Sequence, residues 1–559
     1  MKNDLTVNEA FGLAVQSHKK NNLKVAQDLY NEVLKKNSEH TDALNNLGLI
    51  SQHYEEYEKA IIYYEKVIEI DQNHIEAHFN LALVSQILKK QQKAISYYEK
   101  AIKINPNYIS ALNNLANIHA ELGENEKALN YYEKVLKIDS NLVSGYINYG
   151  KILFKLKYYE KAIYCYKKLI KIAPDNVTEY NNNLAIVLDK MGEHLEATKY
   201  YKKVVNVDPN NIKSLNDLAN IYSKLNETQK AISYYEKAIA IDPNHASIHS
   251  NLGSLYNKLG DNQNSLNCFK KVIELDPKNF TVHYHLGVVF YNIKQFKDAA
   301  ECFKSTDYKN SKSYLLSCLY HLDKKNNFFK EFDNLINKSA INPLIGSLSL
   351  RSEIKYGIKK ENLFCKNPLK HVLTTNLNEQ CDFKNIFTEG VKNILSDKLI
   401  IPREQDLITK GQQTAGNIFD LENDFTNKIK NIILLEIEKY KVYFKDSEEG
   451  FLKSWPPKSN LFGWLVSMKN GGNLAPHMHE LGWLSGSIYI NVPPKLKTDS
   501  GNLVLTIDDN DFKNDENSKK NIDVVTGTIC LFPSSLHHYT IPFESNEDRI
   551  VLAFDVMPG

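Results

Sequence analysis

The histidines near the C-terminal end of this chain have the types and spacing of a metal site. His477 and His479 alternate with Met478, Glu480 follows them, and His538 comes about 60 residues later. In an extended strand, side chains two residues apart lie on the same face, so His477 and His479 are expected to point the same way. Two imidazoles from one strand and a third from a distant strand can share one metal ion. Imidazole suits iron, zinc and copper alike, so spacing alone leaves the metal open, and purely structural histidines remain the alternative.

Short apolar segments separated by Gly, Pro and Asn must position these histidines, and they predict β-strands. The predicted strands cover residues 461–468, 484–492, 502–507, 528–533 and 549–556. The polar segment 508–520 is predicted to be a solvated loop between two of them. Before this region, residues 421–445 have the pattern of an amphipathic helix, and Pro456-Pro457 mark a break.

The first half of the chain is a repeat with a period of 34 residues, interrupted by one step of 35. Its clearest mark is a small residue that recurs at nearly constant spacing, at Ala26, Ala60, Ala94, Ala128, Ala162, Ala197, Ala231, Ser265 and Ala299. We interpret each unit as two amphipathic helices that cross closely at the small residues. One helix pair cannot bury its apolar stripe alone, so neighbouring pairs are expected to stack into a superhelix.

This pattern resembles the tetratricopeptide repeat family, with nine units over about residues 6–310. The resemblance implies a concave groove lined by the first helix of each unit, with a protein or peptide as partner. One position on that helix is polar in seven units and resembles the asparagine ladder of the O-linked N-acetylglucosamine transferase repeats: Asn46, Asn80, Asn114, Asn148, Asn183, Asp217 and Asn251. An amide both donates and accepts, so it can pair with any peptide unit. Because the whole chain is rich in Asn, coincidence remains the alternative.

The C-terminal segments GWLVSMKNGGNLAPHMHELGWLSGSIYINVPP, GTICLFPSSLHHYTIPF and EDRIVLAFDV resemble the iron(II)/2-oxoglutarate-dependent oxygenases. The resemblance is close over residues 461–559 and weaker over residues 362–460. It implies a double-stranded β-helix (jelly-roll) core that holds Fe(II), with 2-oxoglutarate and O2 as co-substrates. It also implies that His477 and His538 bind the metal. Arg549 would hold the far carboxylate of 2-oxoglutarate through its planar fork, and Tyr489 matches a prolyl hydroxylase residue that hydrogen-bonds the same carboxylate.

One position departs from the pattern of that family. His479 stands where the family has Asp or Glu two residues after the first histidine. Glu480 is one residue further along, in the wrong phase for a regular strand, although a local bulge could redirect it. We expect His479 to be the third metal ligand, with Glu480 as the alternative, and a site of two histidines and a water also remains open.

Together these features predict an all-α tetratricopeptide superhelix followed by an α+β domain. The predicted boundaries are residues 6–310 for the repeats, 311–361 for a helical cap or linker and 362–559 for the oxygenase-like domain, with its core at 461–559. The predicted function is a dioxygenase that hydroxylates a protein or peptide recruited by the repeats. The alternatives are a non-catalytic adaptor with a degenerate oxygenase-like domain, and a metal-binding cupin that uses no keto acid.

Composition excludes several other classes of protein. The 559 residues include 69 Lys and Arg against 67 Asp and Glu, a net charge of +2, so no basic excess favours nucleic acid. No run approaches 18 uninterrupted apolar residues, so we expect no membrane span. The seven cysteines are scattered and odd in number, which argues against a disulfide framework and predicts a cytoplasmic location.

Overall fold

The computed structural model of the chain divides into two compact units, residues 1–243 and residues 244–559. It describes residues 5–396, 402–403, 407–421, 423–495, 497–508 and 518–559. Most of the predicted loop 508–520 therefore lies outside the described residues. Among the helices of the described ranges, none combines the length and the apolar character needed to cross a membrane.

The described residues of the first unit form fourteen α-helices, two in each repeat, as the period of 34 residues predicts. They are α1 (Val7–Lys19), α2 (Leu23–Lys36), α3 (Thr41–His53), α4 (Tyr57–Ile70), α5 (Ile75–Ile87), α6 (Gln91–Ile104), α7 (Ile109–Glu121), α8 (Asn125–Ile138), α9 (Val143–Lys155), α10 (Tyr159–Ile172), α11 (Val177–Met191), α12 (His194–Val207), α13 (Ile212–Lys224) and α14 (Thr228–Ile241).

Small residues lie where the two helices of a repeat cross, as predicted. A Cβ atom added at Gly48 on α3 would come within 2.4 Å of the Tyr64 ring on α4. Ala60 is fully buried in the same crossing, and the Tyr64 hydroxyl donates to Gln52 Oε1 at 3.1 Å. The tyrosine thus fills the space beside the small residues and ties its own helix to the preceding one.

The second unit begins with further helices and then continues into the sheet-containing domain. Its described helices are α15 (Ala246–Leu259), α16 (Asn262–Leu275), α17 (Phe280–Asn292), α18 (Phe296–Lys304), α19 (Ser311–His321), α20 (Lys325–Asn337), α21 (Pro343–Tyr356), α22 (Gly390–Ser396), α23 (Asp424–Tyr443) and α24 (Gly450–Lys453). The range 311–361, predicted as a helical cap or linker, contains α19, α20 and α21, and α23 is the helix predicted at 421–445.

Ten strands form two antiparallel sheets in the described part of this domain. They are β1 (Leu373–Asn376), β2 (Pro402–Arg403), β3 (Ile408–Thr414), β4 (Ser459–Leu474), β5 (Leu484–Asn491), β6 (Leu503–Thr506), β7 (Lys519–Ile522), β8 (Thr528–Pro533), β9 (His537–Thr540) and β10 (Arg549–Pro558). The larger sheet has the order β1-β8-β5-β10-β4-β3-β2, and the smaller sheet has the order β7-β6-β9. All five predicted strands are present; β1, β2, β3, β7 and β9 were not predicted.

The two sheets share an apolar core. Leu505 from the smaller sheet packs in one cluster with Tyr489, Phe532 and Val551 from the larger sheet. Strand β10 is central in the larger sheet because it pairs with β4 on one side and β5 on the other. An all-α repeat part followed by an α+β domain is the predicted fold class, and the structure confirms it. His477, His479 and His538 lie close together at one end of these two sheets.

Candidate metal and co-substrate site

Three imidazoles converge at one end of the two sheets. The ligand atoms of His477, His479 and His538 all lie within 4.8 Å of one another. The Nε2 atoms of His477 and His479 are 3.2 Å apart, and the ring centroids of His477 and His538 are 4.2 Å apart. A separation near 3 Å is the spacing of two adjacent ligands with metal–nitrogen bonds of about 2.1 Å.

A single backbone bridge brings His477 and His538 together, whereas the sequence suggested one strand that carries both His477 and His479. His477 follows the end of β4 and makes an isolated antiparallel bridge with His538 on β9, with N–O distances of 3.2 and 2.8 Å. His479 lies in the irregular segment that follows. The prediction of a regular strand through both histidines was therefore wrong. Their side chains nevertheless converge, since the ligand atoms of both lie within 4.8 Å of each other and of His538.

Hydrogen bonds at the far ring nitrogens define which atoms face the cluster. His477 Nδ1 lies 2.9 Å from the Ala475 carbonyl oxygen, which can only accept, so this nitrogen carries the proton. His479 Nδ1 donates in the same way to Asp555 Oδ1 at 2.7 Å. When both rings are neutral, each Nε2 atom carries a lone pair that faces the other Nε2 atom. A cation bound between them fits this donor set.

Removal from water holds the imidazoles in the neutral form that binds metals. Burial, with a smaller contribution from the neighbouring His479, lowers the pKa of His477 to about 4. Burial also lowers the pKa of His538 well below its usual range, with smaller contributions from His477 and His479. Because protons compete with metal ions for imidazole, these groups are ready to bind a metal at neutral pH.

Asp555 is a functional candidate that sequence reasoning missed. It lies near the end of β10, where its Oδ1 atom accepts from His479 Nδ1 and from Ser485 Oγ, each at 2.7 Å. A carboxylate behind a metal-binding imidazole fixes the tautomer and makes the imidazole a stronger ligand. Its place six residues after Arg549 on one strand was visible in the sequence. Its proximity to His479, 76 residues away, was not.

Glu480, the alternative third ligand, lies outside this cluster. Its Oε1 atom accepts from the Tyr291 hydroxyl at 2.7 Å, and Tyr314 donates to the same carboxylate. Burial raises the pKa of Glu480, while these hydrogen bonds and Arg351 oppose the shift. Since the carboxylate is held against helices α17 and α19, the geometry favours His479 as the third ligand.

Arg549, the residue expected to bind a carboxylate, is completely buried at the start of β10. None of its three guanidinium nitrogens has a hydrogen-bond partner among the described residues. Its Cζ atom lies 5.2 Å from the centroid of the Tyr489 ring, and a Cβ atom added at Gly501 would come within 2.6 Å of Nη1. An unpaired buried cation is costly, so this guanidinium fits an anionic ligand such as the carboxylate of 2-oxoglutarate.

Tyr489 connects Arg549 with the histidines. It is buried on β5, accepts a hydrogen bond from Ser487 Oγ at 3.2 Å, and burial raises its pKa to about 12. A narrow cavity between the sheets is lined by Tyr489, Ser487, His479 and His538. Arg549 does not line this cavity; its guanidinium packs against the Tyr489 ring, which does.

A larger cavity of about 660 Å³ opens on the other side of the histidines. Its walls in the sheet domain include Phe462, Trp464 and Gln413, and helix α17 contributes Tyr291 and Asn292. The Trp464 ring meets His479 edge to face, with centroids 5.2 Å apart. Among the described residues that line this cavity, none is Lys or Arg. The cavity thus offers aromatic surface and uncharged amides next to the cluster.

The predicted ladder residues all lie on the first helix of their repeats. Asn46, Asn80, Asn114, Asn148, Asn183 and Asp217 belong to the first unit and Asn251 to the second. Asn80 Nδ2 donates to Asn45 Oδ1 at 3.2 Å, and Asn148 Nδ2 donates to Asn117 Oδ1 at 3.0 Å. Two of these amides therefore bridge neighbouring repeats. A role in binding peptide backbones stays a prediction.

A second group of potential metal ligands has a structural explanation. Cys365, His371 and Glu449 also lie within 4.8 Å of one another. The Glu449 carboxylate accepts from the backbone nitrogens of residues 366 and 367 at 2.6 and 3.0 Å. His371 bonds to the Asn367 carbonyl oxygen and to Ser447 Oγ. These hydrogen bonds satisfy the polar groups and fix a chain crossing.

Comparisons with known proteins agree with this architecture. The family model described as "Putative 2OG-Fe(II) oxygenase" matches residues 463–555. Models of tetratricopeptide repeats match residues 41–74, 75–141, 143–176, 178–211, 212–245, 234–266 and 253–294. No curated protein matches the chain closely enough to count as a relative.

Solved structures similar to the chain are repeat proteins. YrrB, described as a TPR protein with an unusual peptide-binding site, is 22% identical to this chain over the matched region. The match covers 35% of this chain and 97% of YrrB, with a TM-score of 0.29. A tetratricopeptide repeat protein from Parabacteroides merdae is 19% identical, over 45% and 99% of the chains, with a TM-score of 0.32. The C-terminal part of a TPR repeat-containing protein from Cytophaga hutchinsonii is 17% identical, over 43% and 97%, with a TM-score of 0.39. On the strength of the family models, the chain carries tetratricopeptide repeats followed by a domain of the 2-oxoglutarate- and iron(II)-dependent oxygenase type.

Proposed function

We propose that the C-terminal domain is an iron(II)- and 2-oxoglutarate-dependent hydroxylase. The observation that carries this proposal is the pairing of two complementary features between the two sheets. Three imidazoles converge on a common point, and a buried guanidinium without a hydrogen-bond partner among the described residues lies against the Tyr489 ring. Bound iron would supply the redox chemistry by which O2 and 2-oxoglutarate are consumed and a substrate C–H bond is hydroxylated.

The residues of the chain have distinct parts in this activity. His477, His479 and His538 would hold the metal, and Asp555 would keep the proton on Nδ1 of His479 so that Nε2 remains the ligand atom. Arg549 would bind the far carboxylate of 2-oxoglutarate. Tyr489 packs against that guanidinium and shields it from water.

The larger cavity favours an uncharged substrate side chain. Aromatic rings of Phe462 and Trp464 and the amides of Asn292 and Gln413 line it, whereas its acidic groups, Glu480 and Asp555, would repel another carboxylate. We therefore favour a neutral residue, such as Pro or Asn, over Asp as the hydroxylated side chain. The repeats would bring the protein or peptide that carries this residue.

Measurement of iron content and turnover tests the proposal. We expect the purified chain to bind about one iron per chain and to form succinate from 2-oxoglutarate. His538→Ala should lose both properties, and Arg549→Met should keep the metal but lose turnover. His537→Gln is the matched control, because this neighbouring histidine lies outside the cluster. A wild-type chain without bound iron and without turnover would refute the proposal and support a non-catalytic adaptor. Full turnover in Arg549→Met would refute the role of Arg549 in binding 2-oxoglutarate. Bound iron without succinate formation in the wild-type chain would instead support a metal site without a keto acid.

A further inference from the structure

The segment that carries two of the histidines is bound on its other side by helices of the repeat region. In residues 477–480 the side chains alternate: His477 and His479 face the cluster, whereas Met478 and Glu480 face the helices. Met478 packs against the apolar cluster formed by α16 to α21. The helices and the sheet domain both belong to the second compact unit.

The carboxylate of Glu480 is the polar centre of this contact. The Tyr291 hydroxyl, on α17, lies 2.7 Å from Glu480 Oε1 and also 2.7 Å from Ser317 Oγ on α19. Tyr314, also on α19, donates to the same carboxylate, and its ring lies 5.1 Å from that of Tyr291. Arg351 on α21 adds an attractive charge. Three helices therefore fix one side chain that lies directly beside a candidate metal ligand.

The sheet domain by itself holds this segment weakly. His477 pairs with His538, and Gly482 N donates to His479 O at 3.2 Å in a turn, but neither Met478 nor Glu480 lies in a strand. A ligand on irregular backbone is precise only if surrounding groups fix that backbone. The contacts that can do so on either side of His479 are those of Met478 and Glu480 with the helices.

We infer that helix α17 of the last repeat, together with the following helices α19 and α21, forms part of the metal site, and that Glu480 is a positioning residue which orients His479 by anchoring its segment to Tyr291 and Tyr314. This inference rests on the proposed metal site. The repeat region would then do more than recruit a substrate. Tyr291 and Asn292 also form a wall of the larger cavity, so a substrate at the histidines would contact both parts of the chain.

Cobalt(II) binding to the full chain provides the test, because its visible absorption reports ligand geometry without turnover. We expect Glu480→Gln and the double variant Tyr291→Phe/Tyr314→Phe to raise the cobalt dissociation constant about tenfold or more and to change the spectrum. Tyr356→Phe is the matched control: it removes a tyrosine–carboxylate bond, to Asp323, from the same group of helices but leaves the histidine segment alone. The inference would be overturned if both Glu480→Gln and the double tyrosine variant bound cobalt(II) with the same affinity and the same absorption spectrum as Tyr356→Phe.

Amide hydrogen exchange of residues 477–482 in the metal-free chain gives an independent readout. We expect exchange to speed up at least tenfold in Glu480→Gln and in the double tyrosine variant, relative to Tyr356→Phe. Unchanged exchange would overturn the inference. If the wild-type chain binds no cobalt, the proposed metal site fails, while the exchange comparison still decides whether the helices order this segment. If Glu480→Gln does not fold, the double tyrosine variant, which keeps the carboxylate, decides alone.

Discussion

Replacement of Arg549 by Met is expected to stabilise the ligand-free chain while abolishing the binding of 2-oxoglutarate. The guanidinium is fully buried, and its three nitrogens have no hydrogen-bond partner among the described residues. Burial lowers the pKa of Arg549, with Tyr489 opposing the shift, in keeping with the desolvation of its charged form. Most substitutions of buried residues destabilise a protein, so a gain in stability would be a distinctive result.

The expected magnitude follows from the surroundings of the side chain. A charge that is buried without a partner costs about 3–5 kcal/mol. The contact with the Tyr489 ring returns about 1–2 kcal/mol of this cost, and Met keeps most of the aliphatic volume, so imperfect packing costs about 1 kcal/mol. These terms leave a rise of about 0–3 kcal/mol in the free energy of unfolding, with a central value of about 1.5 kcal/mol. At that value the melting temperature should rise by about 3–6 °C.

Urea unfolding and thermal melting of the metal-free chain measure this change. A second series adds 2-oxoglutarate together with cobalt(II). At about one hundred times its dissociation constant the ligand should stabilise the wild-type chain by about 2.7 kcal/mol and leave Arg549→Met unaffected. The stabilities of the two chains would then change order when the ligand is added.

Arg351 offers a matched control, since it is also buried and its Cζ atom lies 4.6 Å from the centroid of the Tyr320 ring. Unlike Arg549, it interacts with a carboxylate, that of Glu480. Arg351→Met should therefore destabilise the chain. If Arg549→Met also lowered the free energy of unfolding, or if it retained stabilisation by 2-oxoglutarate, the interpretation of Arg549 as an unpaired anion receptor would be refuted.

Three further predictions concern other parts of the chain. Asp555→Asn should weaken cobalt(II) binding about 10–100-fold in a titration, because His479 loses its carboxylate partner; unchanged affinity would contradict that role. Gly48→Ala should lower the free energy of unfolding in urea by about 1–3 kcal/mol, because the added methyl group meets the Tyr64 ring. Gly12→Ala, with open space around it, should raise the free energy of unfolding by up to about 1 kcal/mol. Burial lowers the pKa of His78 below 6.5, so the unfolded chain binds more protons at mildly acidic pH and the free energy of unfolding should fall as pH drops through 6.5. In urea unfolding, His78→Asn should make the free energy of unfolding depend less on pH. An unchanged pH dependence would contradict the role of His78.

The repeats could be predicted from the sequence almost completely. Each unit repeats a small residue and an aromatic residue, which is Tyr in seven units and Phe in the last two (Phe269 and Phe303). The contacts that define the fold join residues about one helix apart. Tyr64 and Gln52, for example, are only 12 residues apart. Local periodicity therefore specifies both the helices and the way in which they pack.

The candidate site was predicted in part. The resemblance to the oxygenases identified His477, His538, Arg549 and Tyr489, and the preference for His479 over Glu480 agrees with the geometry. The strand pattern around the histidines was wrong, because the hydrophobic alternation does not show that β4 ends at Leu474 and that a single bridge replaces the strand. Strands β1, β3 and β9 were missed because they are short or polar and are ordered by their neighbours.

By itself, the sequence determined the repeats, the strands of the core and the residue types that can bind iron and a carboxylate, because these depend on local patterns and on side-chain chemistry. Only the tertiary structure decided the roles of Asp555 and Glu480. Asp555 contacts His479 across 76 residues and Glu480 contacts Tyr291 across 189 residues. The physical reason is that a carboxylate acquires its role from the partners that the fold places beside it. In the sequence these two acids are equivalent; in the structure one is bound to an imidazole and the other to the repeat helices.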